Sequence, residues 1–193
     1  MRTSTTFKGG KSEILVILGD GRYEERILTY ISPKFDDENV VLAIPSLPLP
    51  RKTGLAMLEG LVSILHAGYR LQAALFIIDK EHVPDIGRIE DKLRSMGRHI
   101  RSHEILLDGK GLIYDLLHGV HEVRLYVVIA GEATCMNEEV AKLATKIYRK
   151  GFSKEDAKRV KFKELMRRAS MDAIKESLKG LSTILQRIKR EYG

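Results

Sequence analysis

Three carboxylates carry the clearest chemical signal in this chain: Asp20, Asp79 and Glu81. Asp20 follows the apolar run Ile14-Leu15-Val16-Ile17-Leu18 and Gly19, while Asp79 and Glu81 close a second run, Ala73 to Ile78. Residues i and i+2 of an extended chain point the same way, so Asp79 and Glu81 are expected to face one crevice. Carboxylates brought together without compensation are costly. A divalent cation relieves that cost, and an all-oxygen set suits Mg2+ or Mn2+. Mg2+ keeps waters and binds substrate phosphate, so the chemistry implied is phosphoryl transfer or phosphodiester hydrolysis.

These residues converge only if the right elements carry them. The run 14–18 reads as a strand buried on both faces, closed by Gly19-Asp20-Gly21. A helix is expected over 22–31, a strand over 40–44, a proline-punctuated loop over 45–50 and a helix over 52–67. Then come a strand at 73–78, a helix at 85–96, a strand at 100–106, a short helix at 111–118 and a fifth strand at 123–130. Strands alternating with helices mean βαβ units, a mostly parallel sheet and helices on both faces, an α/β Rossmann-like architecture. If the second strand lies outside the first, the switch point falls between the first and third, and the three carboxylates meet there.

At these residues the sequence resembles the TOPRIM family, a metal-dependent catalytic domain found in topoisomerases, primases and small nucleases. Leu18-Gly19-Asp20-Gly21-Arg22-Tyr23-Glu24-Glu25 matches the family's first motif, with Asp20 in the glutamate position and Glu24 as the following acid. Phe76-Ile77-Ile78-Asp79-Lys80-Glu81 matches the second, a strand ending in Asp-x-Asp, with Glu81 for the second Asp. The resemblance covers roughly residues 12–130. It implies a TOPRIM-like fold and a catalytic set of Asp20, Glu24, Asp79 and Glu81. Asp20 would be a general acid/base or a metal ligand, Asp79 and Glu81 would hold Mg2+, and Glu24 would support the first motif or a second ion. Glu132, past the fifth strand, is a further candidate acid. Both departures swap Asp and Glu, keeping charge but changing reach.

Other motifs point elsewhere and fail on context. Gly9-Gly10-Lys11-Ser12 lacks the earlier glycine of a P-loop and precedes its strand. A dinucleotide fingerprint at Gly19-Asp20-Gly21 meets Glu24 where its third glycine belongs, and acids there repel a pyrophosphate. His99 and His103 straddle a strand start and share no helix face, and His82 reads as a solvated loop histidine. A receiver domain needs a lysine past the fifth strand, where this chain has Gly131-Glu132-Ala133.

Composition bounds the rest. The 193 residues include 44% apolar and 31% charged side chains, enough for a core, and the apolar runs are strand-sized rather than membrane-spanning. One cysteine, Cys135, excludes an intrachain disulfide, and Met1–Ser12 has no apolar signal core, so a cytoplasmic protein is expected. Only four side-chain amides occur beside abundant Lys, Arg and Glu, as in heat-adapted proteins. Residues 1–148 hold 19 basic and 20 acidic side chains, whereas 149–193 hold 14 and 6. Three parts are expected: a flexible tail over 1–12, the α/β domain over 13–148, and a basic C-terminal helical hairpin over 149–193. Lys158, Arg159, Lys161, Lys163, Arg167 and Arg168 are the expected contacts to a nucleic-acid backbone, DNA or RNA. Ser153 and Ser170 read as helix caps. Apolar residues from Met171 to Tyr192 repeat at 3-4 spacing, a seam expected to pair with a second copy, as a homodimer through helix 171–192, or with the preceding helix. The function expected is a Mg2+-dependent nuclease; the alternative is a non-catalytic nucleic-acid- or protein-binding module with a degenerate site.

Overall fold

The architecture follows from five apolar segments that pair side by side in a computed structural model describing residues 1–46 and 52–193. In chain order the elements are β1 (Arg2–Ser4), β2 (Glu13–Leu18), α1 (Arg22–Ile31), β3 (Val41–Ala43), α2 (Glu59–His66), β4 (Ala73–Asp79) and α3 (Gly87–Ser95). They continue with β5 (His99–Leu106), β6 (Gly111–His118), β7 (His121–Ala130), α4 (Met136–Tyr148), α5 (Lys154–Ala157), α6 (Phe162–Arg168), α7 (Met171–Ser177) and α8 (Lys179–Tyr192). The seven strands form one sheet of order β1-β3-β2-β4-β7-β6-β5. Its first five members run parallel, and β6 and β5 continue it as an antiparallel meander. The neighbours β3-β2-β4 give the expected crossover, with the switch point between β2 and β4.

Strand alternation divides the core into two layers. Ala73, Leu75 and Ile77 of β4 face the side covered by α1, α4 and the C-terminal helices. Ala74, Phe76 and Ile78 face the side covered by α2 and α3. Both faces of β4 are buried along its whole length, which is why its sequence reads as unbroken apolar residues.

The segment 1–12 is not a flexible tail: β1 pairs with β3 in the register Arg2 to Val41, and Met1 and Phe7 are buried. Residues 111–118 form a strand rather than a helix. An eight-residue apolar run has too few turns to decide its own period; here β5 and β7 flank it, and Gly119 at φ 61° closes a two-residue turn into β7. The helix that Ser153 caps, the first arm of the expected hairpin, is broken into α5 and α6 about Val160, a buried residue. The caps are as expected, with Ser153 and Asp156 in a reciprocal capping box and Ser170 accepting from the Ala173 N–H at 3.2 Å.

The C-terminal seam also takes a different partner. The helix expected over 171–192 breaks at Leu178 (φ −112°, ψ 52°), which lets α7 lie on α4 while α8 crosses β6 and β7. Ile174, Leu178, Leu181, Leu185 and Ile188 are all fully buried in the layer that holds Tyr126 and Val128. Pairing with a second copy through this seam would require α8 to leave its own sheet. Gly180 permits the close crossing, since a Cβ there would stand 2.7 Å from the Lys110 carbonyl oxygen. Residues 149–193 therefore complete the core of the α/β unit and form no separate hairpin. Of the proline-punctuated loop expected over 45–50, residues 47–50 lie outside the described residues.

Candidate functional site

The site begins with a close approach of two strands. The Gly19 N–H donates to the Ile77 carbonyl at 2.8 Å, and a Cβ on Gly19 would lie 3.1 Å from that oxygen and 3.2 Å from Ile78 Cα. A side chain there would push on the β4 backbone, so glycine suits an approach of the end of β2 this near β4. Gly21, at φ 97°, then turns the chain into α1. That turn carries Glu24 beneath Asp20, whose N–H donates to Glu24 Oε1 at 3.2 Å. Asp79, the last residue of β4, accepts the N–H of Met136 at 2.9 Å, which ties it to the start of α4.

Asp20, Glu24 and Asp79 each offer an oxygen, and these oxygens lie within 4.8 Å of one another. Asp20 is open at the mouth, whereas Glu24 is 2% and Asp79 9% exposed. Glu24 Oε2 is buried without a hydrogen-bond partner. Burial, reinforced by the charges of Asp79 and Asp20, pushes the Glu24 carboxyl up to about 8. Burial also raises Asp79 to about 6, against the pull of the Met136 N–H and with the help of the Asp20 and Glu81 charges. Three acids this close, two of them held from water, make a pocket in which, among the described residues, no cationic side chain is bonded to the buried pair.

Glu81 does not join them. Beyond Asp79 the chain leaves the extended form for a 3-10 turn over Lys80–His82, so the alternation that would align residues 79 and 81 ends there. Glu81 is exposed, and its N–H donates to the Thr134 carbonyl at 2.9 Å. Glu24 takes the third position instead, one helical turn on from Asp20. His82, read from sequence as a solvated loop residue, stands with Nε2 3.1 Å from Asp20 Oδ1 and is about one-third exposed. Gly54 makes room for it: a Cβ there would lie 3.1 Å from His82 Cγ. Its adjacency to Asp79 and Glu81 was the only sequence signal for His82.

Glu132 does not belong to the cluster. It is exposed and paired with Lys142, which holds its carboxyl below the usual glutamate range, and with Lys110 at 3.6 Å. The loop after β7 is instead organised by Glu138. Against a burial cost, N–H groups of Ala133, Glu132 and Thr134 and the Thr134 hydroxyl hold it near 2. That loop supplies both the Thr134 carbonyl to Glu81 and the start of α4 to Asp79.

The basic residues approach the same end of the sheet. Tyr23, beside Glu24, donates its hydroxyl to the Ala157 carbonyl at 3.5 Å, and Lys154 Nζ lies 3.3 Å from Thr134 Oγ1. Lys158, Arg159 and Lys161 in the connection from α5 to α6, and Lys163, Arg167 and Arg168 on α6, are all exposed. Arg168 pairs with Glu164 at 2.8 Å; the other five form no ion pair among the described residues.

Comparison with protein-family models, with curated proteins and with solved structures gives no match. The geometry of the acids and of the basic face therefore stands as the evidence on function.

Proposed function

We propose that the chain holds a divalent cation, Mg2+ or Mn2+, between Asp20, Glu24 and Asp79 and acts on the phosphodiester backbone of a nucleic acid, as a TOPRIM-like nuclease does. The observation that carries this reading is the buried, unpartnered Glu24 oxygen set against two further carboxylates. Hard oxygen donors, the buried two of them with no cationic partner among the described residues, fit Mg2+ or Mn2+. The cation would supply Lewis-acid polarisation of a phosphate oxygen.

The chain's own residues divide the remaining work. Glu24 and Asp79 are fixed by burial and backbone hydrogen bonds, so they suit the role of rigid ligands. Asp20 stands at the mouth with His82 3.1 Å away, and this pair is the one able to take up or hand over a proton at the open side. The exposed cations of α6 and of the connection before it suit a phosphate backbone running past the mouth, without reading its sequence.

The test is a Mg2+ and Mn2+ titration of cleavage on single- and double-stranded DNA and RNA, with Asp79→Asn beside the wild type. Metal-dependent cleavage that falls at least about 100-fold in the variant is expected, the scale at which a misplaced or missing catalytic group acts. Salt-sensitive binding with no cleavage by either protein would favour the non-catalytic module.

A further inference from the structure

The end of the sheet opposite the acids has its own character. A groove of about 720 Å³ lies beneath the starts of β4 and β7, lined among others by Leu65, Tyr69, Arg70, His118, His121 and Glu122. That volume falls in the range of small-molecule sites. His118 and His121 are register partners flanking the Gly119-Val120 turn, and the exposed His66 meets the His118 ring edge-on at 5.9 Å between centroids.

Behind His118 stands Arg98. It is 8% exposed; its Nε donates to the Met96 carbonyl at 3.0 Å and its Nη1 donates to His118 Nδ1. No carboxylate pairs with it among the described residues, and burial alone bears on its charge. A guanidinium is always protonated, so His118 Nδ1 must accept and its ring proton must sit on Nε2, where it is a donor. Glu122, the acid on the wall, is paired with Arg101, and Arg70 forms no ion pair among the described residues. Lys8 and Lys11, both exposed, add positive charge in the loop where Gly9 packs against the Arg70 backbone. Arg70 and the imidazoles of His118 and His121 on the groove wall, with the buried Arg98 fixing His118 as a donor from behind, suit an anion. Tyr69, 43% exposed and leaning on Phe7 at 5.8 Å, gives that groove an aromatic wall.

We propose that this groove binds the phosphate of a nucleotide, with the phosphate between Arg70, His118 and His121 and the base against Tyr69 and Leu65. The nucleotide is either free or the phosphorylated end of a strand; both present the same phosphate and a stackable base. This site is separate from the acid cluster and stands whether or not that cluster is catalytic.

Calorimetric titration of the full chain in EDTA tests it, with AMP, adenosine, inorganic phosphate and a tetranucleotide with and without a 5′-phosphate. One AMP per chain is expected, with adenosine bound at least about tenfold more weakly, which corresponds to about 1.4 kcal/mol. Arg70→Glu, an exposed change compatible with folding, should weaken AMP at least about tenfold, and Asp79→Asn should leave it unchanged. A phosphorylated tetranucleotide bound more tightly than AMP identifies a strand end as the ligand; the reverse order identifies a free nucleotide. AMP and the phosphorylated strand both failing to bind would overturn the proposal. So would AMP affinity untouched by Arg70→Glu, or lost in Asp79→Asn.

Discussion

At the scale of residues, the acid cluster has a thermodynamic signature. The folded chain holds Glu24 near 8 against an ordinary glutamate value of 4.5, and Asp79 near 6 against 3.8. Between those limits the folded state binds protons that the unfolded chain has released, so metal-free stability falls as pH rises through this window. Below it the cost is absent. Glu139, raised to about 7 by burial despite Lys110, adds to the same slope. Urea unfolding in EDTA should therefore give higher stability near pH 5 than near pH 8. Glu24→Gln should flatten part of the slope, and Mg2+ should restore more stability at the upper pH, because it binds the deprotonated acids. Stability that rises between these two pH values in EDTA, or the same slope in Glu24→Gln, would count against the cluster as described.

Among elements, the C-terminal helices matter for folding as much as for charge. Leu185 of α8 is fully buried against the sheet. Leu185→Ala should cost about 2–5 kcal/mol in urea unfolding, as expected for a buried leucine that leaves a cavity. A change under about 0.5 kcal/mol, normal for surface positions, would mean that α8 does not dock there. The sequence revealed β2, β3, β4 and β7 because each is a short β-branched run bounded by turn residues. It misjudged β6 because eight residues cannot distinguish a strand from two helical turns, and its tertiary partners decided. It misassigned the partner of the α8 seam because spacing says that a face is apolar, not what covers it. The site was legible in the same measure. Asp20 and Asp79 sit where strands end, which the sequence marks. Glu81 was misplaced because a 3-10 turn follows Asp79, and His82 was undervalued because its reach to Asp20 depends on the fold.

The whole molecule is polarised along its parallel strands. Acids gather at the strand ends, imidazoles and arginines at the strand starts, and α6 with the connection before it carries a run of exposed cations. Nucleic-acid affinity should fall steeply with salt if these cations neutralise phosphates. Replacing Lys161, Lys163 and Arg167 together by glutamine should lower affinity on all sequences alike and reduce the slope of log K against log salt by about 2–3. A flat salt dependence in the wild type would contradict this use of the basic face.

The most direct test of the central claim is calorimetric or paramagnetic titration of the metal-free chain with Mn2+. The account predicts a site of one ion per chain, lost in Asp79→Asn and in Glu24→Gln but kept in Glu81→Gln, because Glu81 lies outside the cluster. No Mn2+ binding by the wild type, or binding unaffected by Asp79→Asn and Glu24→Gln, would contradict it.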